Sequence, residues 1–513
     1  MTFTMTTRRR ALAGAVALVA CTATPTLAQQ KTLTIGSAFV PVSLDPSLSG
    51  NGRAGMAIMP AYEPLVRVGH DGKIKPALAT KWEIAEDQMS VTFTLRTDAK
   101  FSDGDPVTAA AVKTSLDYFR TKKGGPFATN LQTVTAIDVL TPNQLKISVS
   151  VPQPALVTLF ESYWNAGMII APKGVADPDS LAKETRGAGP YKLDPAATIL
   201  GKSYTYVPNE HYYDKSRIKW DKVVISAFVD QNAGIQAMKA GQLMLLSSDP
   251  LTGNSNAANL PKDLRIISEP VGWTGIVFSD RKGEGQSLVL KDVRVRQAIN
   301  HALDRATISK ALFGNLAQPS LQLQSPGFLG YDPEIEKRYP FDPDKAKKLL
   351  AEAGYPDGFE LSMAYVNNSM SQFLQQAIGA QLRKVGITMK GMEAQHFGVL
   401  RSMAENKAFT AAVLNSNSGV PNLAKFQTLD EKGSFNYYRN VDPQLTKLMG
   451  EASNQPLDKS EAAWKKVYGY VVEQAWFAPI ASIHVVYFAS NKIKTPPVGQ
   501  SIVLDLTDIE PVN

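Results

Sequence analysis

A mixed α/β fold divided into more than one lobe is what this sequence predicts, and three observations predict it. Short runs with an apolar residue at every second position alternate with longer runs whose apolar residues recur every three to four positions. Capping and turn residues bracket both kinds of run, and no fixed-period repeat or low-complexity tract interrupts them. Behind an export-type leader the chain keeps about 485 of its 513 residues, a length that ordinary domain sizes divide into two or three units.

The leader comes first. Arg8, Arg9 and Arg10 form a basic head, Ala11 to Ala20 a short apolar core, and Thr26-Leu27-Ala28 a small-x-small cleavage site. The core is too short to cross a bilayer. The pattern is that of a cleaved signal peptide over residues 1–28, which takes no part in the fold. Thr7 to Leu12 also resembles a twin-arginine signal, with Ala11 where a bulkier apolar residue is usual. A second cut site, Leu18-Val19-Ala20-Cys21, resembles a lipobox; its use would make a lipidated Cys21 the first mature residue. Otherwise Cys21 is a small apolar residue of the signal core. Cleavage after Ala28 is preferred, because that site lies beside the first ordered segment.

Lys31 to Ile35 alternates and reads as the first strand. In Ser90 to Arg96, Val91, Phe93 and Leu95 face one way and Thr92, Thr94 and Arg96 the other, as in a half-buried antiparallel strand. Asp103-Gly104 supplies a turn. Thr108 then caps a helix whose Val112, Leu116 and Phe119 form one face. Leu145, Ile147, Val149 and Val151 make another period-2 strand, ended by Pro152 and Pro154. In the run from Lys291 to Gly314, Asp292 caps a helix with Val295, Ala298, Ile299, Ala302 and Leu303 on its buried stripe, and Gly314 closes it. Asp342 and Pro343 start a further helix with Ala346, Leu349, Leu350 and Ala353 inside; Gly354 and Pro356 end it.

Composition excludes several classes. Cys21 is the sole cysteine, so no disulfide and no thiolate metal site is expected. The net charge of +7 falls to +4 when the three leader arginines are removed, with Lys and Arg scattered, so no nucleic-acid partner is expected. His70, His211, His301, His396 and His484 are far apart in sequence and form no close metal-ligating pair. Ser180 and Lys183 match the S-x-x-K spacing of some acylating enzymes, but the supporting S-D-N and K-T-G motifs are absent. No G-x-S-x-G motif and no P-loop occurs. Neither cofactor nor metal is expected. Tyr204, Tyr206, Tyr212, Tyr213, Trp273, Tyr437 and Tyr438 lie near turn signals, where aromatics with polar tips suit either a concave ligand site or a core.

Five segments together resemble one family. They are AYEPLVRVGHDGKIKPALATKWEIAEDQMSVTFTLRTDAKFSDGDPVTAAAV, GAGPYKL, PNEHYYD, VRVRQAINHALDRATI and FDPDKAKKLLAEAGYPDGFEL. In this order and spacing they resemble the extracellular solute-binding proteins of family 5, the peptide, nickel and oligopeptide group that serves ABC importers. The resemblance implies a periplasmic-binding-protein-like architecture, two lobes with a hinge plus an additional small domain. Lobe I would be discontinuous, from 29–65, 188–288 and 485–513. The extra domain II would span 66–187, and lobe III 289–484. It implies capture of a small peptide-like or other polar solute in the interlobe cleft by a periplasmic, monomeric protein without enzymatic activity. A membrane permease and a separate ATPase would be its partners. The readings beside it are a secreted serine hydrolase using Ser180 and Lys183, and a receptor that presents ligand to a chemosensory partner.

The resemblance also points to site residues. In peptide-binding members an acidic residue in a loop of the third domain pairs with the ligand's α-amino group. The matching stretch VLNSNSGVPNLAKF holds Asn415, Ser416, Asn417 and Ser418, with no Asp or Glu from Val413 to Gln427. A buried ammonium needs a countercharge, so Asn415 and Asn417 suit a neutral polar or amide-bearing ligand. The competing reading is that this stretch is a turn. Trp273 sits in what resembles the family's cleft-lining strand. His396, Phe397 and Arg401 sit where relatives place an aromatic or basic contact. Tyr62 and Glu63, at the first crossing between domains, are expected to support the hinge.

Overall fold

The computed structural model describes residues 30–38, 41, 43–49, 55–122, 131–153, 155–161, 166–284, 288–418, 425–433, 435–499 and 503–512. Residues 1–28, expected to be a signal peptide, and with them Cys21, lie outside these.

The first strand, β1 (Thr32–Ser37), buries Leu33 and Ile35. A short hairpin, β2 (Val66–Val68) and β3 (Ile74–Pro76), leads into a separate antiparallel sheet. That sheet contains β4 (Ala79–Ile84), β5 (Ser90–Leu95), β6 (Val134–Thr141) and β7 (Gln144–Val149), in the order β4-β5-β7-β6. Its alternation is as expected: Val91, Phe93, Leu145 and Ile147 are fully buried. The last of these strands stops at Val149, and Val151 is 48% exposed beyond it. Helix α1 (Ala109–Thr121) covers the sheet with Val112, Leu116 and Phe119, and the Thr108 hydroxyl accepts from Ala111 N at 3.2 Å.

Apart from a two-stranded antiparallel pair, Ile493–Lys494 with Glu510–Pro511, the remaining strands form one eleven-stranded sheet. After the short helix α2 (Pro172–Ala176), strands β8 (Tyr191–Leu193), β9 (Ser203–Pro208) and β10 (Lys222–Ala227) build outward from β1. Helix α3 (Gln231–Lys239), strand β11 (Leu245–Ser248) and helix α4 (Pro250–Ala257) follow. Then come the 15-residue β12 (Leu264–Phe278), the short β13 (Ala317–Pro319), β14 (Phe359–Val366), β15 (Ile387–Ala394) and β16 (Ala411–Asn417). The 14-residue β17 (Phe477–Ser490) completes the set. The order is β15-β14-β16-β12-β17-β11-β1-β10-β9-β8, with β13 paired to β17.

Three principal apolar clusters pack on this framework. The first draws on residues up to Val271 and from Val485 onward, with Phe328 added. The second and third are built from residues between Trp273 and Ile483. A chain whose two ends share one core while its middle builds others must cross between them, and β12 and β17 make that crossing.

One expected helix is two. Helix α5 (Val293–His301) starts at Asp292 and buries Val295, Ala298 and Ile299, but stops at His301. A new helix, α6 (Arg305–Phe313), begins after Asp304 and ends at Gly314, whose φ is +57°. Asp304 is the cause. Its carboxylate accepts from Thr307 N at 3.0 Å and from the Thr307 hydroxyl at 2.7 Å, a cap geometry incompatible with a helix interior. Replacing Asp304 by alanine is expected to cost about 1 kcal/mol in denaturant unfolding; a loss under about 0.3 kcal/mol would show that tertiary packing alone makes the break. The remaining helices are α7 (Pro343–Glu352), α8 (Ser369–Arg383), α9 (Phe397–Glu405), and two more at Pro443–Ser453 and Glu461–Glu473. As expected, α7 begins with Asp342 accepting from Lys345 N at 2.9 Å.

Candidate functional site

The crossing is built by β12 and β17, which pair from Leu264 with Ser490 to Val277 with Phe477. The register shifts twice, between Pro270 and Gly272 and between Thr274 and Gly275. Beyond the first shift β12 also pairs with β16, from Gly272 with Asn417 to Phe278 with Ala411. On the other side, β17 pairs with β11 from Val486 to Ala489. The two glycines are required by close backbone approach: a Cβ on Gly272 would sit 2.2 Å from the Ser416 carbonyl oxygen, and one on Gly275 2.5 Å from that of Ala478. Bulges bend strands and re-aim side chains, so the register shifts sit where one core gives way to the next.

A buried hydroxyl network stitches four segments together there. Ser418 N donates to the Val271 carbonyl at 2.7 Å, and the Ser418 hydroxyl to that of Leu323 at 3.1 Å. The Ser325 amide donates to Ser418 Oγ at 3.0 Å, and the Ser325 hydroxyl to the Gly272 carbonyl at 2.9 Å. Ser482 Oγ donates to Ser325 Oγ at 2.8 Å. These bonds hold the end of β16 against both crossing strands. The chain from 419 to 424, which completes the acid-free stretch, lies outside the described residues.

The register distributes the candidate ligand residues over two faces. Asn415 lies opposite Thr274 and Asn417 opposite Gly272, while Trp273 lies opposite Ser416. Paired residues share a face and successive residues alternate, so Asn415 and Asn417 stand on one side of the sheet and Trp273 on the other. Both asparagines are half-buried. Trp273 is buried and meets Phe477 edge-on, with centroids 5.7 Å apart and planes at 76°. His396 is the N-cap of α9, its Nδ1 accepting from Gly398 N at 3.1 Å. Phe397 is 49% exposed and lies 6.2 Å from the Phe435 ring. Arg401 is exposed and close enough to Tyr437 to oppose the burial that raises its hydroxyl pKa. Trp273 and the α9 residues thus flank the third core, and the asparagines face the second. Of the other aromatics, Tyr204, Tyr206, Tyr212 and Tyr438 are buried.

Sequence reasoning assigned Glu63 a supporting place without seeing its partners. Its fully buried carboxylate accepts from Arg67 Nη2 at 2.6 Å, from the Tyr213 hydroxyl at 2.6 Å and from that of Tyr212 at 3.2 Å. Arg217 adds ion pairs to Asp505 and Asp508, both at 3.0 Å. Burial pushes the Glu63 carboxyl upward, with Arg67 and Tyr213 pulling the other way. Of the cluster, Glu63, Arg67 and Asp505 line a cavity of about 50 Å³ with Tyr62, Glu161 and Thr507, and the cluster ties the chain entering β2 to the segments before β10 and near the C terminus. The one sequence signal was Glu63-x-x-x-Arg67; the tyrosines and aspartates come from remote segments. Ser180 donates its hydroxyl to the Asp177 carbonyl at 2.8 Å, and Lys183 is exposed. Among the described residues no group of three or more His, Cys, Asp or Glu side chains is placed to hold a metal ion, and no helix is long and apolar enough to cross a membrane.

Comparison with known proteins gives a consistent picture. The family model for bacterial extracellular solute-binding proteins, family 5 Middle, matches residues 73–434. Heme-binding protein A of Haemophilus influenzae is 26% identical over 455 residues, covering 81% of this chain and 80% of that protein. The glutathione-binding protein GsiB of Salmonella choleraesuis is 27% identical over 364 residues, 70% of this chain and 68% of its own. Among solved structures, the periplasmic binding protein AgaA from A. tumefacien R10 in complex with agropinic acid superposes with a TM-score of 0.79 at 24% identity, covering 94% of this chain and 99% of AgaA. DppA from Helicobacter pylori in complex with the peptide STSA gives 0.78 at 20% identity over 94% and 99%. At these identities the structural likeness establishes the fold.

Proposed function

This chain belongs to the bacterial extracellular solute-binding proteins, family 5, the substrate-binding components of ABC importers, and we propose that it captures a neutral polar, amide-bearing solute and delivers it to a membrane permease. The observation that carries the solute class is the acid-free stretch from Val413 to Gln427, whose described part is held at the crossing between cores by Ser418. A free ammonium buried there would lack its countercharge, whereas Asn415 and Asn417 offer donors and acceptors without charge.

The mechanism we propose rests on a division of the chain into lobes. In this proposal lobe I comprises 29–65, 188–288 and 485–513, domain II 66–187 and lobe III 289–484, and the pairing of Gly272–Phe278 with β16 is where lobe I meets lobe III. A solute that contacts both lobes only when they approach has differential affinity for the closed arrangement and shifts the hinge equilibrium toward it. The closed form is what the permease reads; a separate ATPase drives import, and the chain itself performs no chemistry. Export proceeds through cleavage after Ala28, which leaves a free periplasmic protein. An intact mass beginning at Gln29 supports release; a diacylglyceryl Cys21 refutes it.

The test is a thermal-shift panel of free dipeptides and tripeptides, their N-acetylated forms, opines and glutathione. A ligand specific to the folded state raises the melting temperature with concentration. Hits are expected among solutes whose amine is blocked or absent. Asn415→Ala should weaken a hit about fivefold to tenfold by calorimetry, as one lost hydrogen bond would. Tight binding confined to free-amine peptides overturns the proposed solute class.

A further inference from the structure

Two contacts link parts of the chain that pack on different cores. The first comes from the β4–β5 turn. Gln88 N donates to the Ala85 carbonyl at 2.8 Å and Met89 N to Asp87 Oδ1 at 2.9 Å, which closes a tight turn. Gln88 sits in that turn at φ +58°, a conformation that glycine or asparagine adopts far more readily. Its side chain is used instead. Gln88 Nε2 donates at 3.3 Å to the carbonyl of Asn454, 366 residues away, at the C-cap of the helix Pro443–Ser453. Helix C-termini leave carbonyls without intrahelical partners, so this acceptor is ready-made. The turn belongs to the small four-stranded sheet, whose Val91 and Phe93 lie in the first core; the helix packs on the third core through Leu445, Met449 and Ala452.

The second contact runs the other way. The segment Ser325–Tyr331 turns twice through left-handed glycines, Gly327 at φ +86° and Gly330 at φ +87°. Gly330 lies against Trp464 and Tyr468 of the third core, where a Cβ would come within 2.8 Å of the Tyr468 ring. Between the glycines the chain splits its allegiance: Leu329 packs on the third core, whereas Phe328 is 6% exposed and belongs to the first. Among the described residues, Phe328 is the sole member of that first cluster from the stretch between Val271 and Val485.

We infer that Gln88 and Phe328 form an interlobe clasp that holds part of the solute-free population closed, with domain II supplying the polar half. The physical basis is geometric. A hinge at the crossing moves the third core relative to the first, so the Gln88–Asn454 bond parts when it opens and Phe328, held in the first core from a segment packed on the third, resists the same motion. Residues that touch no solute then set how much of its binding free energy is spent on closure, because a partly closed population raises apparent affinity. A strained turn residue whose side chain reaches a remote carbonyl is the kind of feature that persists when its surroundings need it. The inference rests on the solute-binding reading only in taking the lobes to move about the crossing.

The test uses no solute. In the full chain carrying Cys21→Ser, spin labels at Lys81→Cys on β4 and Lys459→Cys beyond the helix Pro443–Ser453 report the separation of domain II from lobe III; both sites are exposed. After unfolding and refolding to strip carried solute, pulsed dipolar spectroscopy is expected to find a short-distance population. Gln88→Gly, which relieves the left-handed backbone and so folds at least as well, should lower the ratio of short to long distances about threefold to tenfold. Phe328→Ala should lower it further. Distributions that both variants leave unchanged, or a chain with no short-distance population at all, overturn the clasp. Such an outcome leaves the proposed function standing, and a failed solute panel leaves the clasp standing.

Discussion

Arg305→Met is expected to destabilise the folded protein by about 3 to 5 kcal/mol, the largest single-residue loss among these predictions. The side chain is buried and has no carboxylate partner within ion-pair distance among the described residues. Its guanidinium is spread instead over backbone and amide oxygens: Nε donates to the Pro479 carbonyl at 2.7 Å, Nη1 to that of Asn300 at 2.8 Å, and Nη2 to Asn300 Oδ1 at 2.6 Å. Burial pushes its pKa down to about 9, still above neutral pH, so the charge is kept. Methionine matches the apolar stem but leaves three buried acceptors unpaired, one of them at the bulge where β17 meets Gly275. Arg305→Lys should recover only part of the loss, since one ammonium cannot reproduce the planar fork. The comparison is Arg338→Met on the surface, expected within about 0.5 kcal/mol of the parent. Urea unfolding followed by tryptophan fluorescence reads all three. A loss below about 1 kcal/mol for Arg305→Met would mean that water reaches those carbonyls.

The second large effect is on pH. His484 lies on β17 opposite Pro270, with Nδ1 2.6 Å from the Ser268 hydroxyl, and burial pushes its pKa from 6.5 down to about 4. As pH falls below about 6.5 the unfolded chain takes up this proton first, while the folded chain resists until about pH 4. Protons bound to the unfolded state favour unfolding. The contribution is therefore complete above about pH 6.5 and is lost as the pH drops toward 4, amounting to about 2 to 3 kcal/mol. His301, whose pKa burial also lowers, acts in the same direction. Comparing the parent with His484→Gln isolates the first term: the parent's stability advantage should shrink by that amount between about pH 7 and about pH 4. Parallel curves across the interval would show that the imidazole is solvated in the folded state.

The local devices were legible because they are written in adjacent residues. Asp342-Pro343 starts a helix, Thr108 caps one, and the alternation of Val91, Phe93 and Leu95 places a strand face, all without reference to the rest of the chain. The break at Asp304 was also written locally, as Asp304-x-x-Thr307, but the apolar stripe running through Ala302 and Leu303 outweighed it. The tertiary structure favours the break because it lets Arg305 turn back to the α5 carbonyls and to β17. The candidate site was legible only as a composition. The absence of acids from Val413 to Gln427 can be read from the chain; that Trp273 and Asn415 stand on opposite faces of the sheet depends on the register of β12 with β16.

By itself, then, the sequence determined the mixed α/β class, several helix starts such as those at Thr108, Asp292 and Asp342, and the family. These depend on residues a few positions apart, or on the order of segments along the chain. The tertiary structure alone decided which distant segments share a core, how Glu63 meets Tyr212, Tyr213 and Arg67, and that Gln88 reaches Asn454. Such contacts join residues tens to hundreds of positions apart, and no local periodicity carries them: pairing register and the sharing of cores are selected by the free energy of packing whole surfaces together.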